Sequence, residues 1–184
     1  MNKLVILDRD GVINQDSDNF VKNLDEWIPI PGSIEATAKL SRNGFAVAIA
    51  SNQSGIARGL ISETTLQQIH DRLAQLVREA GGEITRIIYC PHGPDDQCDC
   101  RKPKPGMFKQ LINELGIPQQ CWVIGDSLRD LQAGIAVGCS PVLVTTGNGN
   151  KTKSDPNLPA GTQIFADLAC AADWLISQQD PRLP

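Results

Sequence analysis

Apolar and polar positions along this chain alternate between two periods. Short, continuously apolar runs, rich in Val and Ile, occupy 4–8, 46–51, 84–90, 121–125 and 141–145. Runs of that kind suit parallel strands covered on both faces. Between them, apolar residues recur at helical spacing. Leu66, Ile69, Leu73, Leu76 and Val77 make one stripe, which stops at Gly81-Gly82. Met107, Phe108, Leu111, Ile112 and Leu115 make another, which stops at Gly116. Further helices are predicted from Ser33 to Gly44, after Asp126, and from about Asp167 to Ser177. Strand-helix alternation of this kind predicts an α/β fold. Its expected form is a three-layer, Rossmann-like parallel sheet of about five or more strands, with helices on both faces and right-handed crossovers.

Three segments follow neither period. Residues 14–31 carry polar groups and Trp27 and read as a flap after the first strand. Residues 91–105 carry cysteines, prolines and charges and read as an inserted loop, and 147–161 is rich in turn formers. No linker and no repeat interrupts the pattern. The expectation is one domain over 1–184, with no large cap domain and a flexible tail over about 179–184.

Composition narrows the picture. A chain of 184 residues can bury a sizeable core. Its net charge is −4 with the cations scattered, which gives a nucleic-acid role no support. No apolar run is long enough to span a membrane, and the N-terminal run at 4–7 is too short for a signal peptide. The expected address is the cytoplasm, where thiols stay reduced, so the six cysteines do not suggest a disulfide framework. Cys121, Cys139 and Cys170 lie in apolar surroundings and read as small core residues. His70 reads as a surface or boundary residue of its helix.

Candidate chemistry gathers at strand ends. Asp8-Arg9-Asp10 closes the first strand, Ser51-Asn52-Gln53-Ser54-Gly55 follows the second, and Gly125-Asp126-Ser127 follows the fourth. In an open parallel sheet, ligands bind beyond the carboxyl ends of the strands. Carboxylates collected there are hard oxygen ligands of the kind that Mg²⁺ takes together with water and phosphate. Asp8 could attack phosphorus, and Asp10 could pass a proton to the leaving alcohol and take one from water. Ser51 and a lysine could hold the phosphate oxygens.

A second cluster lies in the inserted loop. Cys90, His92, Cys98 and Cys100 pair as C-x-H and C-x-C within a loop of about 90–100. Four such ligands suit tetrahedral Zn²⁺ with no open position, a structural site. The alternatives are a disulfide or unligated thiols. The loop runs into Arg101 and Lys102, whose cations match a phosphate at the rim.

These motifs resemble the haloacid dehalogenase superfamily of phosphatases, whose pattern is a D-x-D strand end, a later Ser or Thr, a Lys and a terminal acidic motif. The resemblance covers the chain up to Thr146. It implies Asp8 as nucleophile, Asp10 as acid and base, and a magnesium site formed by Asp8, Asp126 and the backbone carbonyl of Asp10. Asp130 either supports that site or is an exposed helix residue. CPH, CDCRKPKPGM, DRDGVIN and SNQSGIARG together look like the bacterial D,D-heptose 1,7-bisphosphate phosphatases. That likeness implies a sugar bisphosphate as the small-molecule partner, in lipopolysaccharide-core or related glycan synthesis. It further implies Lys102 on the transferring phosphoryl group, and Arg101, Asp16, Ser17, Asp18, Asn19, Asn52, Gln53, Ser54 and Ser127 around the substrate. A monomer is expected. The chain departs from the pattern in its short zinc loop, in Asp16-Ser17-Asp18-Asn19, and in Ser127, where Lys is common. Histidinol-phosphate phosphatase is the alternative enzyme, and a zinc-stapled binding module the non-enzymatic one.

Overall fold

A computed structural model describes residues 3–17 and 20–178. Six parallel strands form one sheet: β1 (Lys3–Leu7), β2 (Ala46–Asn52), β3 (Arg86–Cys90), β4 (Gln120–Gly125), β5 (Ser140–Val144) and β6 (Gln163–Phe165). Their order across the sheet is β3-β2-β1-β4-β5-β6. The chain winds outward from β1 to β3, then returns to the other side of β1 to place β4. This reversal opens a crevice at the C-terminal ends of β1 and β4, where a doubly wound sheet binds its ligand.

Both faces of the sheet are covered, which is why the strands read as unbroken apolar runs. Val5 and Leu7 of β1 pack into one core with α1 (Ser33–Arg42), α2 (Glu63–Glu79) and α6 (Leu168–Ser177). Leu4 and Ile6 point the other way, into a second core with α3 (Gly106–Leu115) and α4 (Leu128–Ile135). Successive residues of a strand face opposite sides, so one five-residue strand serves both layers. Ser62 caps α2 by accepting from Thr65 N–H at 3.0 Å, and Asp167 caps α6 by accepting from Cys170 N–H at 2.8 Å.

Several details differ from the reading of the sequence. β6 and the short α5 (Gly149–Lys153) lie in or beside the turn-rich stretch. β6 spans three residues and is largely exposed, so it carries no apolar signature. The segment after β1 is anchored rather than loose. Trp27 and Val21 are buried in the core, and Ile30 N–H donates to Ile13 C=O at 2.9 Å.

The expectations for four residues need correction. Cys121 and Cys139 form a disulfide, because β4 pairs with β5 in a register that sets Trp122 beside Ser140 and so brings the preceding cysteines to a Cα separation of 4.5 Å. Cys170 is exposed instead of core-packed, since the buried face of α6 is Leu168, Ala171, Ala172 and Leu175. His70 is buried, with its ring 5.8 Å from that of Tyr89. It shares the inward stripe of α2 with Leu66, Ile69 and Leu73. The expected tail over 179–184 lies outside the described residues.

Candidate active site

Asp8 is the first residue beyond β1, and its backbone N–H still donates across to Ile124 C=O in β4 at 2.9 Å. That bond continues the sheet by one step and holds the carboxylate over the crevice. Lys102 reaches Asp8 from the far side. Its Nζ lies 2.9 Å from Asp8 Oδ1 and 2.6 Å from Asp130 Oδ1, and it donates to Ala50 C=O at 2.8 Å. The lysine backbone is fixed by a reciprocal pair with Asn52: Lys102 N–H donates to Oδ1 at 3.0 Å, and Nδ2 donates to Lys102 C=O at 3.1 Å. All three ionic side chains are buried. Unpaired charge is expensive there, so each depends on its partners.

Asp126 sits beyond β4 with its Oδ2 accepting from Asn148 N–H at 2.7 Å. Two glycines admit it. A Cβ on Gly11 or Gly147 would stand 2.2 or 2.3 Å from Asp126 Oδ2, and both residues have a positive φ that favours glycine. Carboxylate oxygens of Asp8, Asp126 and Asp130 all fall within 4.8 Å of one another. Burial, then the Asp130 carboxylate, push the Asp8 carboxyl well above its ordinary range, against the pull of Lys102. Burial and Asp130 likewise raise Asp126 from 3.8 to about 6. One lysine does not neutralise three acids.

Asp10 is held differently. Its Oδ1 accepts from Arg9 Nε at 3.2 Å, from Arg9 Nη2 at 2.9 Å and from Asn14 Nδ2 at 2.8 Å. Its Oδ2 accepts from Arg9 Nη2 at 3.1 Å and from Gln53 Nε2 at 2.8 Å. Burial pushes this carboxyl up, yet the Arg9 charge and the donors outweigh burial and leave it below the usual range. Gln53 Nε2 also donates to Ser51 Oγ at 2.6 Å, which ties the end of β2 to the same network.

Above these groups opens a cleft of about 280 Å³. Asp8 and Asp10 form its base, and Asp16, Ser17, Asn52, Gln53, Ser54 and Arg101 line it. Phe20, Val21 and Ile61 supply an apolar wall. Ser51 and Lys102 lie beneath the surface of the cleft. Asp18 and Asn19 lie outside the described residues.

At the rim, the ligand atoms of Cys90, His92, Cys98 and Cys100 come within 4.8 Å of one another. His92 Nδ1 stands 3.5 Å from Cys90 Sγ and 3.2 Å from Cys100 Sγ, and Cys90 Sγ stands 3.8 Å from Cys98 Sγ. Zinc–sulfur bonds of about 2.3 Å in a tetrahedron set sulfurs about 3.8 Å apart, the spacing of the Cys90 and Cys98 pair. Cys100 Sγ stands closer, 3.1 Å from Cys90 Sγ; the donor set is that of a closed zinc site. Arg101 leaves this loop with its Nη1 donating to His92 C=O at 3.1 Å.

Known proteins match this arrangement. The HAD-hydrolase-like family profile matches residues 99–171. D-glycero-β-D-manno-heptose-1,7-bisphosphate 7-phosphatase of Pseudomonas aeruginosa is 59% identical over 94% of this chain and 97% of that protein. The enzyme of the same name from Pseudomonas putida is 55% identical over 95% of this chain and 99% of that protein. The crystal structure of the Bordetella bronchiseptica D,D-heptose 1,7-bisphosphate phosphatase, complexed with magnesium and phosphate, superposes with a TM-score of 0.92. It has 50% identity, covering 96% of this chain and 99% of that one. The chain belongs to the heptose-bisphosphate phosphatases of the HAD-like hydrolases.

A phosphatase of this family needs a divalent cation, and the donor set fits one. Asp8 and Asp126 offer hard oxygens with raised proton affinity, as expected of acids awaiting a cation. The Asp10 carboxylate is committed to Arg9, Asn14 and Gln53, which leaves its backbone carbonyl as the donor it could offer a cation. Asp130 is buried and paired with Lys102, which removes the exposed-helix alternative. Ser127 also takes a different post. Its N–H donates to Asp130 Oδ2 at 3.1 Å and its hydroxyl donates to the same oxygen, so it caps α4 and faces a neighbouring cleft with Leu128 and Lys151.

Two polar residues at the main cleft, besides its apolar wall, were not predicted from the sequence. Arg129 lines it from the first turn of α4, and Asn148 lines it from the turn after β5. Arg129 carried no specific signal, because an exposed cation in the first turn of a helix reads as a solvated surface residue. Asn148 carried none, because turn residues of its type are common.

Proposed function

We infer that this chain hydrolyses the C7 phosphate of D-glycero-β-D-manno-heptose 1,7-bisphosphate through an aspartyl phosphate, in the synthesis of activated heptose for lipopolysaccharide core or a related glycan. The observation that carries this reading is the placement of charge. One lysine is buried against the nucleophile, while two guanidinium groups, Arg101 and Arg129, stand apart at the mouth of the same cleft. A substrate with a single phosphate would need only the inner cation. The β configuration follows the names of the relatives at 59% and 55% identity.

In the first half-reaction an Asp8 carboxylate oxygen forms a bond to phosphorus as the bond to the sugar oxygen breaks. Asp10, a carboxylate in the free enzyme, takes a proton from the entering phosphate monoanion and gives it to that departing oxygen. In the second, water attacks phosphorus, its proton passes to Asp10, and Asp8 leaves as a carboxylate. Lys102 offsets the negative charge on Asp8 and the phosphoryl oxygens, and Ser51 with its neighbouring amides adds donors. Magnesium, held by Asp8, Asp126 and the Asp10 carbonyl, would neutralise the phosphoryl group and let two anions meet. Asn52, Gln53, Ser54, Asp16 and Ser17 suit the hydroxyls of the sugar.

We read the chain as one phosphatase domain acting as a cytoplasmic monomer; no helix among the described residues is long and apolar enough to cross a membrane. A phosphate-release panel tests the function. It compares the α and β heptose 1,7-bisphosphates, fructose 1,6-bisphosphate and histidinol phosphate. The β-heptose substrate should have the highest kcat/KM, and a preference for histidinol phosphate would replace this reading.

A further inference from the structure

Arg9 lies between the two catalytic aspartates in sequence, yet its side chain is nearly solvent-inaccessible, at 1% exposure. An arginine so buried needs a specific partner. The partner is Asp10: Arg9 Nη2 spans both carboxylate oxygens, at 2.9 and 3.1 Å, and Nε adds a third bond at 3.2 Å. This side-on grip determines the plane of the carboxylate, which a single point charge would leave free to rotate. The Arg9 backbone is fixed too, since Arg9 C=O accepts from Ile13 N–H at 2.8 Å and Asn14 N–H at 3.2 Å.

The far side of the guanidinium supports the same role. Arg9 Nη1 is buried without a protein partner, and so is His70 Nε2. Burial first, and then the Arg9 charge, lower the His70 pKa to about 4. The His70 imidazole is therefore neutral near pH 7 and adds no second cation near Asp10. Arg9 and His70 are both absent from the lining of the cleft, while Asp10 is present.

We propose that Arg9 is a positioning residue that aims the Asp10 carboxyl at the leaving oxygen of the substrate, and that it acts only through Asp10. The inference rests on the reading of Asp10 as acid and base given above. It predicts a particular pattern of loss. Proton donation matters when the leaving group is strongly basic and little when the leaving group is stable as an anion. The ratio kcat/KM reports only the steps up to leaving-group release, so it isolates the proton given by Asp10 from the proton later taken from water.

The test uses the full chain with magnesium and two substrates that lack the sugar, phenyl phosphate and 4-nitrophenyl phosphate, whose phenolate is the far better leaving group. Arg9→Met should lower kcat/KM for phenyl phosphate about 100-fold, the scale of a catalytic group misplaced by about 1 Å, and for 4-nitrophenyl phosphate less than about 5-fold. Arg9→Lys keeps the charge without the fork, so it should fold even where Met does not. Its loss should be intermediate and tilted the same way, about 10-fold against less than about 3-fold. Equal losses on both substrates, or no loss on either, in folded protein would overturn the proposal. Wild-type protein that releases phosphate neither from these two esters nor from heptose 1,7-bisphosphate would instead overturn the phosphatase reading and this inference with it.

Discussion

The base of the cleft and its rim of clustered cysteines and histidine serve the same cleft with opposite kinds of support. At the base, Asp8, Asp126, Asp130 and Lys102 are all nearly inaccessible. They are held by strand register, by backbone bonds such as Asp8 to Ile124, and by one another. At the rim, residues 91–101 are half-buried or exposed, and Cys98 and Cys100 are the apolar groups that pack against the second core. There the four converging Cys and His ligands take over the work of a core. The difference teaches where each part is vulnerable. The base should fail through charge imbalance, and the rim through loss of its crosslink.

The largest effect should follow from Asp8→Asn. Removing the nucleophile should reduce phosphate release by more than about 10⁴-fold, as loss of a covalent nucleophile does elsewhere. Stability should hardly change, because one negative charge leaves a crowded set of acids. Thermal unfolding within about 3 °C of wild type would agree, as would a native circular dichroism spectrum. Substantial residual turnover would remove Asp8 from its role.

Lys102→Met comes next and should damage the base twice. It strips the cation shared by Asp8 and Asp130, leaving two buried carboxylates facing each other. Breaking such a pair costs about 3–5 kcal/mol, and activity should fall about 1000-fold from the lost phosphate contact. Urea unfolding gives the stability cost. Adding Asp130→Asn to the variant should recover part of it, since that removes one of the stranded charges. Two additive losses would mean that the three residues do not act as a set.

The matching change at the rim is Cys98→Ser. Purified wild-type protein should carry about one zinc per chain by metal analysis. The variant should lose it, raise KM for the bisphosphate about 10-fold by freeing Arg101, and leave kcat within a few-fold. Hydrogen exchange should quicken across 91–101 while the sheet keeps its protection. A global loss of protection would show the rim to be part of the core after all.

How far these two regions could be read from the sequence follows from the same difference. Parallel strands buried on both faces leave long apolar runs, and their ends are marked by the residues that break them: Asp8, Ser51 and Asp126. Cys90, His92, Cys98 and Cys100 stood out because metal ligation is a local spacing pattern. What escaped depends on neighbours far away in the chain. Asp130 and Lys102 meet only after α3 and β4 intervene, and Cys121 meets Cys139 only through the β4–β5 register. His70 has the helical spacing of a buried position but the chemistry of an exposed one, and position prevailed. Arg129 shows the converse, an exposed cation whose use is evident only once α4 is set against the cleft.

The smallest effect is also the most direct probe of the acids at the base. Asp126 has its pKa raised from 3.8 to about 6 in the folded protein. A raised carboxyl pKa means that the folded state holds the proton more tightly than the unfolded chain does. The stability this contributes is present below about pH 4 and is lost as the pH climbs through about 6. Magnesium should compete with that proton, so its stabilising effect should grow over the same window. Saturation about 100-fold above its dissociation constant contributes about 2.7 kcal/mol, or about 8 °C in a chain of this size, near pH 7.5. Near pH 5 the shift should be less than half as large, because the proton occupies the site that the cation needs. Asp126→Asn should shrink the magnesium-induced shift at the higher pH and flatten the difference between the two. An equal shift at both pH values in the wild-type protein would place the cation elsewhere and leave the raised acids at the base without their counter-ion.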